Sequence, residues 1–297
     1  MSSNNLLVEL FVEELPPKAL KKLGESFAGS VLESLKGQAL TAEKSLATAY
    51  ASPRRLAVHI TEVSSQAEDK AVSQKLMPVS VGLDANGNAT PALIKKLNAL
   101  GADESAVANL KRENDGKADI LFYDALVKGA SLAEALQKAV EEALAKLPIP
   151  KVMTYQLSDG WESVNFVRPA HGLVALHGDK VVPVSLLGLK ANNQTQGHRF
   201  EASVSPVVLK DADSYEAQLQ NEGSVIPSFD ARRAEIVRQL TASAQKQNLK
   251  PIEDDALLDE VTALVERPNV LLGQFETEFL EVPQECLILT MKANQKY

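Results

Sequence analysis

With 297 residues, 45% of them hydrophobic and 24% charged, the chain is long enough for a well-buried core and has the composition of a folded protein, which excludes a disordered or low-complexity one. A formal net charge of −8 gives no basic surplus of the kind nonspecific nucleic-acid binders carry, although screening over about 10 Å lets a local basic patch act by itself. The single cysteine, Cys286, excludes an internal disulfide and every multi-cysteine zinc pattern. No run approaches the roughly 18 apolar residues of a membrane span and no basic flank precedes the first apolar segment, so the expectation is a cytoplasmic protein with no membrane partner.

Leu6 to Val12 reads as a short apolar strand that stops at Glu13-Glu14-Leu15-Pro16-Pro17. The two prolines suit a helix start, where their missing N–H groups cost nothing. Leu20, Leu23, Phe27, Val31 and Leu35 then recur every three or four residues up to Gly37, an inward helical face. Leu46–Ala51 and Leu56–Val63 read as strands joined through Ser52-Pro53-Arg54-Arg55, making an opening β-α-β-β unit. Residues 64–90 are polar and turn-rich, with an Asn86-Gly87 turn signal, and are expected to form a flexible surface excursion.

A short helix is expected over Pro91–Leu100, a strand over Ala118–Val127, and a longer helix opened by a Ser131/Glu134 capping box with the stripe Leu132, Leu136, Val140, Leu144 and Leu147. Pro148 and Pro150 end it, and the expected domains are 1–148 and 149–297. Beyond, a hairpin flanks His177-Gly178-Asp179, and helices are expected over 213–220, 229–245 and 254–266, with strands between and after them. Elements mix without a strict βαβ rhythm, so the fold class expected is α+β: two mixed lobes with antiparallel sheets covered by helices.

Chemistry is hard to find along this chain. Gly24 to Ser30 mimics part of a phosphate loop, but it lacks the lysine and falls inside the first helix. His59, His171, His177 and His198 lack metal-ligand spacing, and Cys286 sits in an apolar run where a buried, inert thiol is expected. No catalytic or metal-binding residue is assigned. What stands out are cations beside turns: Arg54 and Arg55, Arg168 before Pro169, His198 and Arg199 after Gly197, and Lys292 and Lys296 near the end. An arginine at a rigid turn can offer a planar fork to phosphate at small ordering cost. The competing reading pairs each with one of 39 acidic residues, and Arg232 and Arg233 are read as a solvated helix face.

The peptides Glu9-Leu10, Glu13-Glu14-Leu15-Pro16-Pro17 and Ser52-Pro53-Arg54-Arg55-Leu56-Ala57 resemble the opening of bacterial heterotetrameric glycyl-tRNA synthetase β subunits. The resemblance continues in order through Leu147-Pro148-Ile149-Pro150-Lys151, Phe166-Val167-Arg168-Pro169, Leu187-Gly188, Gly197-His198-Arg199-Phe200, Glu260 to Glu266, Thr290-Met291-Lys292 and Gln295-Lys296-Tyr297. Lys151 to Tyr155, Ala170-His171-Gly172 and Glu266-Arg267-Pro268 depart from the family pattern, which puts any contact made there by relatives in doubt.

The resemblance implies the N-terminal part of a longer β chain in an α2β2 ligase. It implies an α subunit that uses ATP and Mg to make the adenylate, and a β chain that handles glycine tRNA with no cofactor in this region. It also implies a fold akin to the body and tail of archaeal CCA-adding enzymes or to the B3/B4 domain of the phenylalanyl enzyme. Arg54, Arg55, Arg168, His198, Arg199, Lys292 and Lys296 are then the expected phosphate contacts. The alternatives are a pure α-subunit docking scaffold and an editing hydrolase module.

Overall fold

The structure, a computed structural model, describes residues 3–84, 86–114, 116 and 118–296. It has two compact units, one built from residues 1–65 and 131–297 and the other from residues 66–130.

The larger unit opens with β1 (Ser3–Val12), a 3-10 turn at Pro17–Ala19, α1 (Leu20–Gly37), β2 (Ala47–Ser52) and β3 (Arg55–Ser64). Pro16 and Pro17 stand at the N-terminal end of that turn, as their lack of N–H groups favours. All five apolar positions of the stripe from Leu20 to Leu35 are buried. β1 and β3 pair antiparallel, with Leu6 opposite Ile60 and Leu10 opposite Leu56, and β2 pairs with β3 on the outer side.

The smaller unit holds β4 (Lys70–Pro78), α2 (Val79–Gly82), α3 (Pro91–Ala99), β5 (Lys111–Asn114) and β6 (Asp119–Val127). Its sheet order is β4-β6-β5, and Leu93, Leu97, Ala106 and Leu121 make a small core of their own. The expected flexible excursion over 64–90 is therefore corrected for 70–82. Lys70 to Pro78 lacks an apolar alternation, but β6 supplies its antiparallel partner along the full length. The Asn86-Gly87 signal does mark a turn, with Gly87 at φ +83°.

The chain returns to the larger unit with α4 (Leu132–Lys146), opened by the expected capping box. A hairpin of β7 (Met153–Gln156) and β8 (Ser163–Phe166) follows, then β9 (Ala170–His177) and β10 (Lys180–Val181). β9 pairs with the second edge of β1, Leu10 opposite Leu173, giving the sheet order β10-β9-β1-β3-β2. The sheet thus draws strands from both sides of Pro148, and the compact units do not divide there. A strand buried on both edges, as β1 is, completes its backbone pairing with β9 rather than within residues 1–148.

Short pairs β11 (Ser185–Leu186) with β12 (Leu189–Lys190) and β13 (Gln194–Thr195) with β14 (Val207–Val208) come next. α5 (Tyr215–Asn221), α6 (Phe229–Lys246), α7 (Asp255–Thr262) and α8 (Gln284–Thr290) complete the list. Side chains alternate across the sheet. Leu7, Tyr50 and Ala57 face a core with Val207, Leu209, Tyr215 and Leu219. On the opposite face α1 lies so close that a Cβ on Gly24 would come within 2.6 Å of the Ala51 Cβ, which is why that glycine sits inside a helix. No strand follows α7 among the described residues; the region expected to hold one forms a 3-10 turn (Thr277–Glu281) and α8 instead.

The class is α+β with antiparallel sheets, as the mixed rhythm of elements predicts. No helix among the described residues is long and apolar enough to cross a membrane.

A candidate cleft at the end of the central sheet

β1 carries one charge into the core. Glu9 is fully buried on the face that meets α5, and it accepts hydrogen bonds from the Thr195 and Tyr215 hydroxyls. Burial and the Glu9 charge together push the Tyr215 phenol well above its usual pKa, so it stays a donor. Arg55, also fully buried, lies 3.5 Å from Glu9 through Nε and 3.6 Å from Glu266 through Nη1, and donates from Nη2 to the Gln196 carbonyl at 2.7 Å.

Its neighbour Arg54 is 6% exposed; Nη2 donates to Glu266 Oε2 at 2.7 Å and to the Gly197 carbonyl at 3.0 Å. Both guanidiniums lie over the Phe11 ring, at 5.2 and 5.5 Å. The Pro53 turn thus aims these two arginines inward. Arg54 is engaged with Glu266 and the Gly197 carbonyl, whereas Arg55 uses only Nη2 in a hydrogen bond and leaves Nε and Nη1 beside carboxylates without one among the described residues.

Arg232 corrects the solvated-face reading. It is fully buried, with Nε donating to the Thr262 carbonyl at 2.9 Å, Nη1 to Ile226 at 2.7 Å and Nη2 to Ala51 at 2.8 Å. Burial lowers its pKa to about 10, leaving it charged at neutral pH. Arg233 does face outward, paired with Asp255 at 2.6 Å and Asp259 at 2.7 Å.

The remaining expected cations divide into two places. Lys292 pairs with Asp254 at 2.6 Å and Lys296 with Glu260 at 3.0 Å, so both tie the last segment to α7. Arg168, His198 and Arg199 come together around the loop that leaves β1. Arg168 Nε donates to the Glu14 carbonyl at 2.9 Å; Arg199 Nη2 meets Glu13 Oε2 at 2.9 Å, and its Nη1 lies 3.8 Å from Glu14 Oε1. His171 Nε2 sits 3.0 Å from the other Glu13 oxygen.

A cleft of about 250 Å³ opens here, lined by Glu14, Arg54, His198, Arg199, Phe200 and Arg267, among others. Phe200 projects from it 90% exposed, with His198 edge-on beneath at 6.2 Å between ring centres. Arg199 is about half exposed, as is Arg267, which pairs with Glu201 at 3.1 Å.

Three features of this site were missed from the sequence. Arg267 appeared only as a departure from a family tryptophan, Phe200 only as the end of a family peptide, and Glu13 only as a strand stop. The available signal was that Glu13 and Phe200 lie in resembling peptides and Arg267 directly follows one that ends at Glu266. Cys286 is also corrected: it is exposed, because α8 turns it outward from the apolar run around it.

A larger cleft of about 530 Å³ is lined in part by Arg267, but its lining residues hold one another, Gln239 donating to Glu235 at 2.7 Å and to the Pro268 carbonyl at 3.0 Å. Among the described residues no group of three or more His, Cys, Asp or Glu side chains is placed to hold a metal ion.

The family described as "Glycyl-tRNA synthetase beta subunit" matches residues 6–297. The protein named glycine–tRNA ligase beta subunit from Leptothrix cholodnii is 72% identical over 297 residues, covering 100% of this chain and 42% of that relative. Its counterparts from Dechloromonas aromatica and Janthinobacterium are 69% and 68% identical, each across 100% of this chain and 43% of their own lengths. The chain therefore spans well under half the length of these relatives.

Proposed function

The chain belongs to the glycyl-tRNA synthetase beta subunit family, and from that premise we propose that it is the RNA-positioning and subunit-docking part of the β chain of a glycine–tRNA ligase. In this reading it supports ATP-dependent glycylation of glycine tRNA on a separate α chain, in an α2β2 assembly, and forms no adenylate itself. ATP and magnesium belong to the α chain.

One observation carries the reading: His198 and Arg199 line the cleft beside the exposed Phe200, Arg199 held by the surface carboxylates of Glu13 and Glu14, with Arg168 on the Glu14 carbonyl nearby. A phosphate arriving at Arg199 displaces Glu13 and Glu14, and such half-exposed pairs contribute at most about 1 kcal/mol. In exchange the guanidinium gains two parallel charge-assisted bonds. Phe200 offers a free ring face to a base, a contact indifferent to sequence. Lys292 and Lys296, though exposed enough to exchange partners, lie with α7 and take no part in this site.

A second reading is favoured by the same phenylalanine. An exposed aromatic ringed by paired charges is also the make-up of a protein-docking hot spot. A photoreactive phenylalanine analogue at position 200 of the assembled ligase separates the two. Cross-linking to glycine tRNA supports RNA positioning, whereas cross-linking to the α chain alone makes the cleft a docking surface and removes the RNA role.

A further inference from the structure

Between Leu271 and Leu289 the chain turns its apolar side chains outward. Leu271, Leu272, Phe275, Phe279, Leu280 and Leu289 are between 46% and 81% exposed. Monomeric proteins rarely leave so many large apolar groups open along one short stretch. Glu276, Glu278, Glu281 and Glu285 interleave with them, all exposed, and none forms an ion pair among the described residues. The stretch contains no lysine, arginine or histidine.

This segment is built into the unit at both ends. Gln239 on α6 donates to the Pro268 carbonyl at 3.0 Å and accepts from the Val270 N–H at 2.8 Å. Glu235 steadies that amide, accepting from Gln239 Nε2 at 2.7 Å. At the other end Lys292 and Lys296 are tied to Asp254 and Glu260 by the two ion pairs already described. The result is a strap fixed at each end, apolar and acidic along its outer side.

We infer that residues 271–289 are a docking strap for the portion of the same polypeptide that the relatives carry outside the matched span. The fitting surface is apolar at its centre and rimmed by lysine or arginine. Two observations select that occupant: charge complementarity demands a basic rim that the strap itself lacks, and 58% of the Leptothrix relative's length lies outside the match, given that 42% lies within it. The contact is independent of the RNA reading, so either can fail alone.

Cys286 lies within the strap and reports on its cover. The test measures iodoacetamide modification of Cys286 by peptide mass spectrometry in the polypeptide of full relative length, without the α chain. The reference is the rate in urea. The expected result is modification slower by about tenfold or more, as for a site that reacts only on local opening. Glu278→Lys with Glu281→Lys, exposed positions that the fold tolerates, should restore much of the reactivity through repulsion from the basic rim. Modification at the unfolded rate overturns the inference. So does protection that appears only on adding the α chain, or only as protein concentration rises, since the occupant is then a partner or a second copy.

Discussion

Arg54 and Glu266 stand 212 residues apart in the chain yet form a forked pair, Nη2 to Oε2 at 2.7 Å and Nε to Oε1 at 3.3 Å, with each side chain 7% exposed. The pair staples the turn before β3 to the residues after α7, and Arg55 leans on the same carboxylate at 3.6 Å. Removing one partner leaves an uncompensated buried charge, so Arg54→Ala and Glu266→Ala should each destabilise the protein by about 3–5 kcal/mol in urea unfolding. The glutamate change should be the worse of the two because it orphans two guanidiniums. A loss below about 1 kcal/mol, the range of surface pairs, would show that the staple carries little.

Arg232 bonds carbonyls from three separate segments, that of Ala51, those of Ile226 to Ser228 and that of Thr262. Arg232→Met should cost about 3 kcal/mol or more, since each buried acceptor left unmet costs about 1–3 kcal/mol. Arg232→Lys should rescue poorly, because an ammonium cannot reproduce the planar fork. Thermal or urea unfolding of both variants is the check.

Gly24 faces Ala51 across the contact between α1 and β2, with 2.6 Å available where a Cβ would sit. Gly24→Leu should destabilise by about 1–3 kcal/mol through overpacking, outweighing the roughly 0.5–1 kcal/mol that a helix gains on losing a glycine. A more stable variant in urea would mean that the helix can retreat from the sheet.

Hydrogen bonds from Arg238 and then Gln239 hold the Glu235 carboxyl down at about 2 from its ordinary 4.5. A depressed carboxylate pKa contributes stability that is fully present above the unfolded value and is lost as pH falls through the folded one. The gap in unfolding midpoint between the native protein and Glu235→Gln should be constant above about pH 5, shrink as pH falls below 4.5, and close near pH 2. A gap that persists at pH 2 would assign the effect to packing rather than to the ionised carboxyl.

These sites explain what was legible beforehand. The stripe from Leu20 to Leu35 and the Ser131/Glu134 box are local, so the sequence displays them at helical spacing. The direction in which Arg54, Arg55 and Arg232 point is decided by acceptors at Glu266, Glu9, Thr262 and Ala51, which no local pattern announces. β4 escaped notice because its strand character comes from pairing with β6 and not from alternating apolar residues. Cys286 sat in a run that looks like core, but that run belongs to a strap whose apolar side faces outward. The cleft was half legible: the turns beside Arg168 and Arg199 were visible, whereas their meeting at Glu14 and Glu13, respectively, needed the pairing of β1 with β9.

The central claim is that the half-exposed cations at the cleft, unlike the buried ones, meet phosphate. It is tested most directly by the salt dependence of glycine tRNA binding to the assembled ligase carrying Arg199→Glu, alone and with Arg168→Glu. Each lost phosphate contact should weaken binding and make the slope of log K against log salt shallower by about one. A slope equal to that of the unaltered ligase, in variants with unchanged unfolding midpoints, would contradict the claim.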